Sequence, residues 1–242
     1  MKIVQVKDYN EMSEAACSLI IREIHNDPEL VLGLATGSTP EGLYKKLIEK
    51  YNQEAVSFKA ITSFNLDEYI GLSKDNRNSY HFYMENYLFQ HIDINMQNVY
   101  VPTANSPDAE KECSAYEKLI RDNGKIDLQI LGLGTNGHIG FNEPGTKFSS
   151  RTHIVNLAES TRKANARFFE TIENVPTSAI TMGIKTIMES REIIILVSGE
   201  RKAKALARFI NGEISEHFPA SILKKHDNVT VIADEAAMNN LK

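Results

Sequence analysis

The chain has 242 residues, with 27 Lys plus Arg against 32 Asp plus Glu and a formal charge of −5. Apolar residues make up 42 % and charged residues 24 %, a globular composition that excludes an intrinsically disordered chain and a strongly basic nucleic-acid binder. Cys17 and Cys113 sit in no CxxC or paired spacing, which argues against a disulfide scaffold or a zinc cluster and fits a reducing compartment.

The elements follow in chain order. The first eight residues hold no apolar core of signal-peptide length, and Asp8, Glu11 and Glu14 come quickly, so no secretory leader is expected. Ile3–Val6 reads as a strand. Asp8 is a candidate cap for a helix over Tyr9–Asn26, with Met12, Ala15, Ala16, Leu19, Ile20 and Ile24 on one face. Leu30–Ala35 is a buried strand. It is followed by a helix over Pro40–Tyr51, with Pro at the first helical position and Thr39 as candidate cap. Ala60–Leu66 is the next strand, then helices over Ser79–Phe89 and Ala109–Arg121, and a strand over Leu128–Leu133. A helix over Thr161–Phe169, a strand over Glu192–Val197, a helix over Lys202–Ile210 and a strand over Val229–Ile232 complete the set. The longest plain aliphatic run, Ile193–Val197, falls far short of the ~20 residues that span a bilayer, so no membrane partner is expected.

Several strands are near-continuous apolar segments, the pattern of a parallel sheet covered on both faces. Their alternation with helices implies βαβ units in one α/β sheet. No linker divides the chain, and it reads as one domain over 1–242. The segment from about 144 to 176 has weak strand signals and is a candidate mobile cover.

Ligands of such sheets lie beyond the carboxyl ends of the strands. Four constellations stand there. The first is Ala35-Thr36-Gly37-Ser38-Thr39-Pro40, where Gly37 permits close backbone approach and free amides with the Ser38 and Thr39 hydroxyls suit a phosphate. A tight turn with a Ser/Thr cap is the plain alternative. The second is Asn65-Leu66-Asp67-Glu68-Tyr69, whose Asp67 is either a general base or a helix cap. The third runs from Leu131 to Pro144, with glycines at 132, 134, 137 and 140 around His138, and Glu143 five residues further on. A histidine titrates near neutral pH, and a carboxylate can fix its tautomer. The fourth is basic: Arg167 on the Thr161–Phe169 helix, and Lys202 in Ser198-Gly199-Glu200-Arg201-Lys202. Each cation alone can equally be solvated surface charge. Together the four offer a phosphate cradle, a carboxylate base and a His/Glu pair, with no cofactor fingerprint and no metal-ligand spacing. That set suits proton transfer on a small sugar phosphate.

These residues resemble the glucosamine-6-phosphate deaminase family. The resemblance is carried by Ala35–Pro40, Leu66-Asp67-Glu68-Tyr69 and above all Gly137-His138-Ile139-Gly140-Phe141-Asn142-Glu143-Pro144. Ser150-Arg151-Thr152, residues 161–169 and Ala179-Ile180-Thr181-Met182-Gly183 add to it. It implies a Rossmann-like three-layer α/β/α fold, shared with ribose-5-phosphate isomerase and CoA transferases. The implied reaction converts glucosamine 6-phosphate and water to fructose 6-phosphate and ammonia in amino-sugar catabolism, without cofactor, in the cytoplasm. It assigns Asp67 as the base between C2 and C1 and His138 as the ring-opening catalyst. Glu143 and Asn136 would tune that histidine. Thr36, Gly37, Ser38, Thr39, Gly137, Arg167 and Lys202 would bind the substrate.

Three departures are visible. Position 136 is Asn where other members carry Asp. His153 and Val155 stand where regulated hexamers resemble one another in carrying a basic pair. The chain also stops at Lys242, without those forms' longer tail. An unregulated monomer or low-order oligomer is the expectation. A 6-phosphogluconolactonase-like hydrolase would lack the Phe141–Pro144 run and need no base like Asp67. A non-catalytic sugar-phosphate sensor would usually carry a DNA-binding module, for which the strand starting at Ile3 leaves no room. A CoA-type transferase would need a nucleophilic glutamate.

Overall fold

A computed structural model describes residues 1–103, 108–157, 159, 162, 169 and 171–241. Its strands are β1 (Lys2–Val6), β2 (Val31–Leu34), β3 (Thr62–Asn65), β4 (Asp67–Tyr69), β5 (Val99–Tyr100), β6 (Leu128–Gly132), β7 (His153–Asn156), β8 (Ser178–Thr181), β9 (Glu192–Val197) and β10 (Val229–Asp234). Its α-helices are α1 (Tyr9–Asn26), α2 (Glu41–Asn52), α3 (Tyr80–Tyr87), α4 (Ala109–Asp122), α5 (Ile184–Met188), α6 (Ala203–Asn211) and α7 (Glu235–Met238).

Seven strands form one parallel sheet in the order β1-β10-β9-β6-β2-β3-β5. Alternate residues of its central strands feed opposite faces. Leu32, Leu34, Leu128, Ile130, Ile194, Leu196 and Ile232 pack under α1, α2 and α3. Val31, Leu131, Ile193, Ile195, Val197 and Val231 pack under α4, α5 and α6. The result is three layers, helix–sheet–helix, as the apolar runs predict. Each fully buried aliphatic side chain contributes about 1.5–3 kcal/mol relative to exposure, so the two-sided burial of β9 dominates the local energetics. Asp8 caps α1 by accepting from the Glu11 N–H at 3.0 Å.

The structure departs from the sequence reading at several places. α2 starts at Glu41 with Pro40 at the cap position, so Thr39 does not take that role. Asp67 is not at the free end of a strand: it opens β4, part of a second sheet ordered β4-β8-β7, where it pairs antiparallel with Thr181. That sheet was not expected. The β7 strand lies inside the stretch proposed as a mobile cover, and most of the Thr161–Phe169 helix, Arg167 included, lies outside the described residues.

Candidate active site

Parallel strands deliver their loops to one edge. β2 leads into 35–40, β3 into Leu66 and Asp67, β6 into 133–143, β9 into 198–202 and β10 into α7. Four sequence-level constellations therefore converge because of topology, apart from Arg167.

The loop after β6 is shaped around its histidine. His138 Nδ1 and its own backbone N–H both approach Asn136 Oδ1, at 2.7 and 3.2 Å. Asn136 Nδ2 donates to Glu143 Oε2 at 2.7 Å, and Glu143 Oε1 lies 3.9 Å from His138 Nδ1. An amide oxygen only accepts, so Nδ1 carries the proton and Nε2 is left as the basic nitrogen. Burial lowers the His138 pKa from its ordinary value; the Glu143 charge opposes that shift, and Lys202 adds to it. A neutral imidazole in this tautomer can take a proton at Nε2 and return it. Gly134 must lack a side chain here, since a Cβ would stand 2.4 Å from the His138 ring.

Asp67 is buried, and burial followed by the neighbouring Glu68 charge pushes its carboxyl up to about 8. Its Oδ2 lies 3.3 Å from where a Cβ on Gly140 would stand, which places the carboxylate against the His138 loop. Thr181, its partner across the sheet, accepts the Phe141 N–H on Oγ1 at 3.1 Å and holds the loop there. Glu68 points elsewhere: its carboxylate accepts the N–H groups of Tyr69, Tyr80 and His81 at 2.8–3.0 Å, and His81 Nδ1 at 2.9 Å. It thereby fixes the first turn of α3 beside Asp67.

Sequence reasoning missed the aromatic wall. Tyr80 stacks on Phe141 at 6.1 Å between centroids, and Tyr69 lies 4.9 Å from Tyr80 and 5.9 Å from Phe169. The Tyr80 hydroxyl shares a hydrogen bond with the Thr36 side chain, and burial raises its pKa well above the ordinary value. Thr36 of the first constellation is thus tied to the neighbourhood of Asp67. The signal available was Tyr69 two residues after Asp67, on the same strand face.

Lys202 Nζ donates to the Leu133 carbonyl at 2.6 Å, which brings the β9 loop against the His138 loop. Asp234 accepts from Ser198 Oγ at 2.5 Å and the Gly199 N–H at 3.0 Å, and so holds that loop at its base. Gly37, Ser38 and Thr39 form the turn between β2 and α2, and Gly137 lies one residue from His138. Thr36, Gly37, Ser38, Thr39, Asp67, Asn136, Gly137, His138 and Glu143 lie in loops or at a strand start at this one edge, and Lys202 ends the short 3-10 turn Glu200–Lys202 beside them. The arrangement combines a buried carboxyl with an oriented imidazole, a cation and an open amide turn.

Residues 7–232 match the family model of glucosamine-6-phosphate isomerases/6-phosphogluconolactonase. A glucosamine-6-phosphate deaminase of Shouchella clausii is 56 % identical over 98 % of this chain and 96 % of its own. Glucosamine-6-phosphate deaminase 1 of Bacillus subtilis is 52 % identical over 98 % of each. Among solved structures, one described as a monomeric glucosamine-6-phosphate deaminase superposes with a TM-score of 0.97 at 51 % identity. It covers 99 % of this chain and 100 % of that one. The 6-phosphogluconolactonase of Trypanosoma brucei covers 100 % and 98 %, with a TM-score of 0.81 but 21 % identity, which shows the shared fold alone.

Proposed function

The chain belongs to the glucosamine-6-phosphate isomerase/6-phosphogluconolactonase family, and from that premise we propose that it is an isomerising deaminase. It converts glucosamine 6-phosphate and water to fructose 6-phosphate and ammonia. The reaction needs an acid/base that can work on a hemiacetal and a base that can remove a carbon-bound proton. His138 serves the first step. Its Nε2 takes the proton from O1 and returns one to the ring oxygen, opening the pyranose. Asn136 and Glu143 keep that nitrogen unprotonated and aimed. Asn136 cannot relay a charge, so its role is to orient the ring and pass on the pull of Glu143.

The open aldehyde acidifies the proton on C2. Asp67 in its carboxylate form takes that proton while one passes from the C2 ammonium group to O1, giving an enolamine, and then delivers its proton to C1, leaving a protonated imine at C2. Water then adds to the resulting C2 imine and ammonia leaves. A carboxylate whose conjugate acid sits near 8 is a stronger base than a surface aspartate, and it suits this step at mildly alkaline pH. The observation that carries the reading is this pairing: a buried, raised Asp67 packed against the loop that holds an oriented His138. The turn 36–39, Lys202 and Arg167 are proposed to hold the phosphate, Arg167 on the family resemblance alone. The protein works as one soluble catalytic unit, with a cytoplasmic role in amino-sugar catabolism. A lactonase reading is disfavoured, because lactone hydrolysis leaves Asp67 and the Phe141–Pro144 run without a task.

Incubation with glucosamine 6-phosphate, without added metal, yields equal ammonia and fructose 6-phosphate. Neither product appearing, or hydrolysis of 6-phosphogluconolactone instead, would sink the assignment. Asp67→Asn keeps binding of a product analogue and loses about 10²–10⁴-fold in kcat. Near-wild-type turnover in that variant removes Asp67 from the mechanism.

A further inference from the structure

Three tyrosines from three different helices donate to carbonyls of one short loop. Tyr44 of α2 donates to the Ala35 oxygen at 2.5 Å. Tyr83 of α3 donates to the Gly37 oxygen at 2.8 Å. Tyr9 of α1 donates to the Ser38 oxygen at 3.0 Å. The direction of the last bond is fixed, because the same Tyr9 oxygen accepts the Gly42 N–H at 2.7 Å. A side chain on Gly42 would forbid that approach, as its Cβ would meet Ser13 Oγ at 2.3 Å and the Tyr9 ring at 2.8 Å. Burial raises the pKa of all three phenols, so each stays a hydroxyl and a donor. Tyr83 is further held by stacking on Tyr87, with centroids 4.4 Å apart.

Pinning a carbonyl also aims an amide. In a planar trans peptide the C=O of one residue and the N–H of the next point in opposite directions. With the oxygens of residues 35, 37 and 38 held toward α1, α2 and α3, the N–H groups of Thr36, Ser38 and Thr39 face the other way. Gly37, at a φ of +91°, supplies the reversal of chain direction that lets consecutive amides share one side. Loop amides left to themselves would reorient on binding, at a cost in affinity that a preset loop avoids.

We propose that Tyr9, Tyr44 and Tyr83 are positioning residues for the substrate phosphate: their hydroxyls hold the backbone of 35–38 turned so that the amides of Thr36, Ser38 and Thr39 converge on a dianion. The proposal rests on the reading of this loop as the phosphate cradle. It assigns three residues, far apart in sequence and outside the reacting centre, to affinity rather than to chemistry. It also ties the cradle to the helical layer, so the loop is supported from behind while its front stays open.

The test uses Tyr9→Phe, Tyr83→Phe and the double variant, which remove only a hydroxyl from partly exposed positions; the fully buried Tyr44 is left intact. The KM for glucosamine 6-phosphate and the Ki of inorganic phosphate as a competitor both rise about 5–10-fold per hydroxyl, the size of one lost hydrogen bond. The fall in kcat is smaller than the rise in KM. The increase in Tm that inorganic phosphate gives the wild type shrinks in step. Unchanged KM and Ki in the double variant would overturn the proposal, as would a lower kcat at unchanged KM. If wild type makes no ammonia yet is stabilised by phosphate less well after Tyr83→Phe, the deaminase reading fails and the positioning role stands. If inorganic phosphate leaves the wild-type Tm and rate unchanged, the cradle itself is refuted, and the tyrosine roles with it.

Discussion

At Asp67, the proposed catalytic role and stability pull in opposite directions. Burial and the adjacent Glu68 charge raise its carboxyl from 3.8 to about 8. A raised folded-state value means the native chain holds this proton more tightly than the unfolded chain does. Stability is therefore full below about pH 4 and is lost as pH rises towards 8. The charged form is the one that can act as a base, so the proposed role places the cost of burying that charge in the active form. Asp67→Asn removes that cost. Its Tm should match the wild type near pH 4, move above it through the interval to pH 8, and level off beyond, with a gain of up to about 3 kcal/mol. Thermal unfolding of both proteins across that range is the measurement, and parallel curves would show that Asp67 is not raised. The acidic limb of wild-type kcat/KM should fall in the same window. His138 illustrates the opposite design, because burial lowers its pKa and so keeps it neutral and ready at Nε2.

Between elements, Glu117 does what Glu68 does at the site. It lies buried on α4 and accepts the Thr152 N–H at 2.9 Å, the Thr152 hydroxyl at 2.7 Å, the Thr186 hydroxyl at 2.5 Å and Arg151 Nη1 at 2.9 Å. Arg151 also reaches Glu189 at 2.7 Å, so one carboxylate ties α4, the start of β7 and α5 together. Burial alone would push Glu117 up, but its hydrogen bonds from Thr186, Thr152 and Arg151 outweigh this and hold it below 4.5. A depressed carboxyl stabilises above its unfolded value and loses that contribution as pH falls through the folded one. Glu117→Gln should cost about 1–3 kcal/mol in urea unfolding at pH 7 and visibly less at pH 4. An equal cost at both would mean that shape, not charge, matters there. This linkage also shows what a sequence hides. The Glu192–Val197 strand was legible to the residue, because burial on both faces leaves an unbroken aliphatic run. By contrast β4, β7 and β8 are short and half polar (Asp-Glu-Tyr, His-Ile-Val-Asn, Ser-Ala-Ile-Thr); β7 and β8 become strands by pairing with each other, and β4 only by pairing with β8, more than 100 residues away. Asn136, His138 and Glu143 were legible as a set because one loop carries them. Tyr9, Tyr44 and Tyr83 were not, since each reads locally as an ordinary helical residue.

Over the whole chain, the proposed catalytic edge is assembled from strand ends that lie far apart in sequence. Every group the proposed chemistry uses among the described residues comes from this chain's own strand ends, and the second sheet backs Asp67 from within the same molecule. The second sheet's edge strand bears on regulation as well. His153 turns its Nδ1 to the Arg151 carbonyl at 2.8 Å, and Val155 packs on the cluster of Tyr69, Phe141 and Leu157. Arg151 is held by Glu117 and Glu189. A second sugar phosphate at this strand would have to pull Arg151 from two carboxylates and would find Val155 where a cation is needed. Coupling between sites requires an effector that binds the two states of the molecule differently, and this edge offers little to bind. The rate should therefore follow a simple hyperbola in glucosamine 6-phosphate, with a Hill coefficient of about 1. Light scattering should give the mass of one chain at assay concentrations. N-acetylglucosamine 6-phosphate should leave KM unchanged apart from weak competition. Sigmoidal kinetics abolished by that effector, with a mass of several chains, would mean that the regulatory site lies on a surface other than β7.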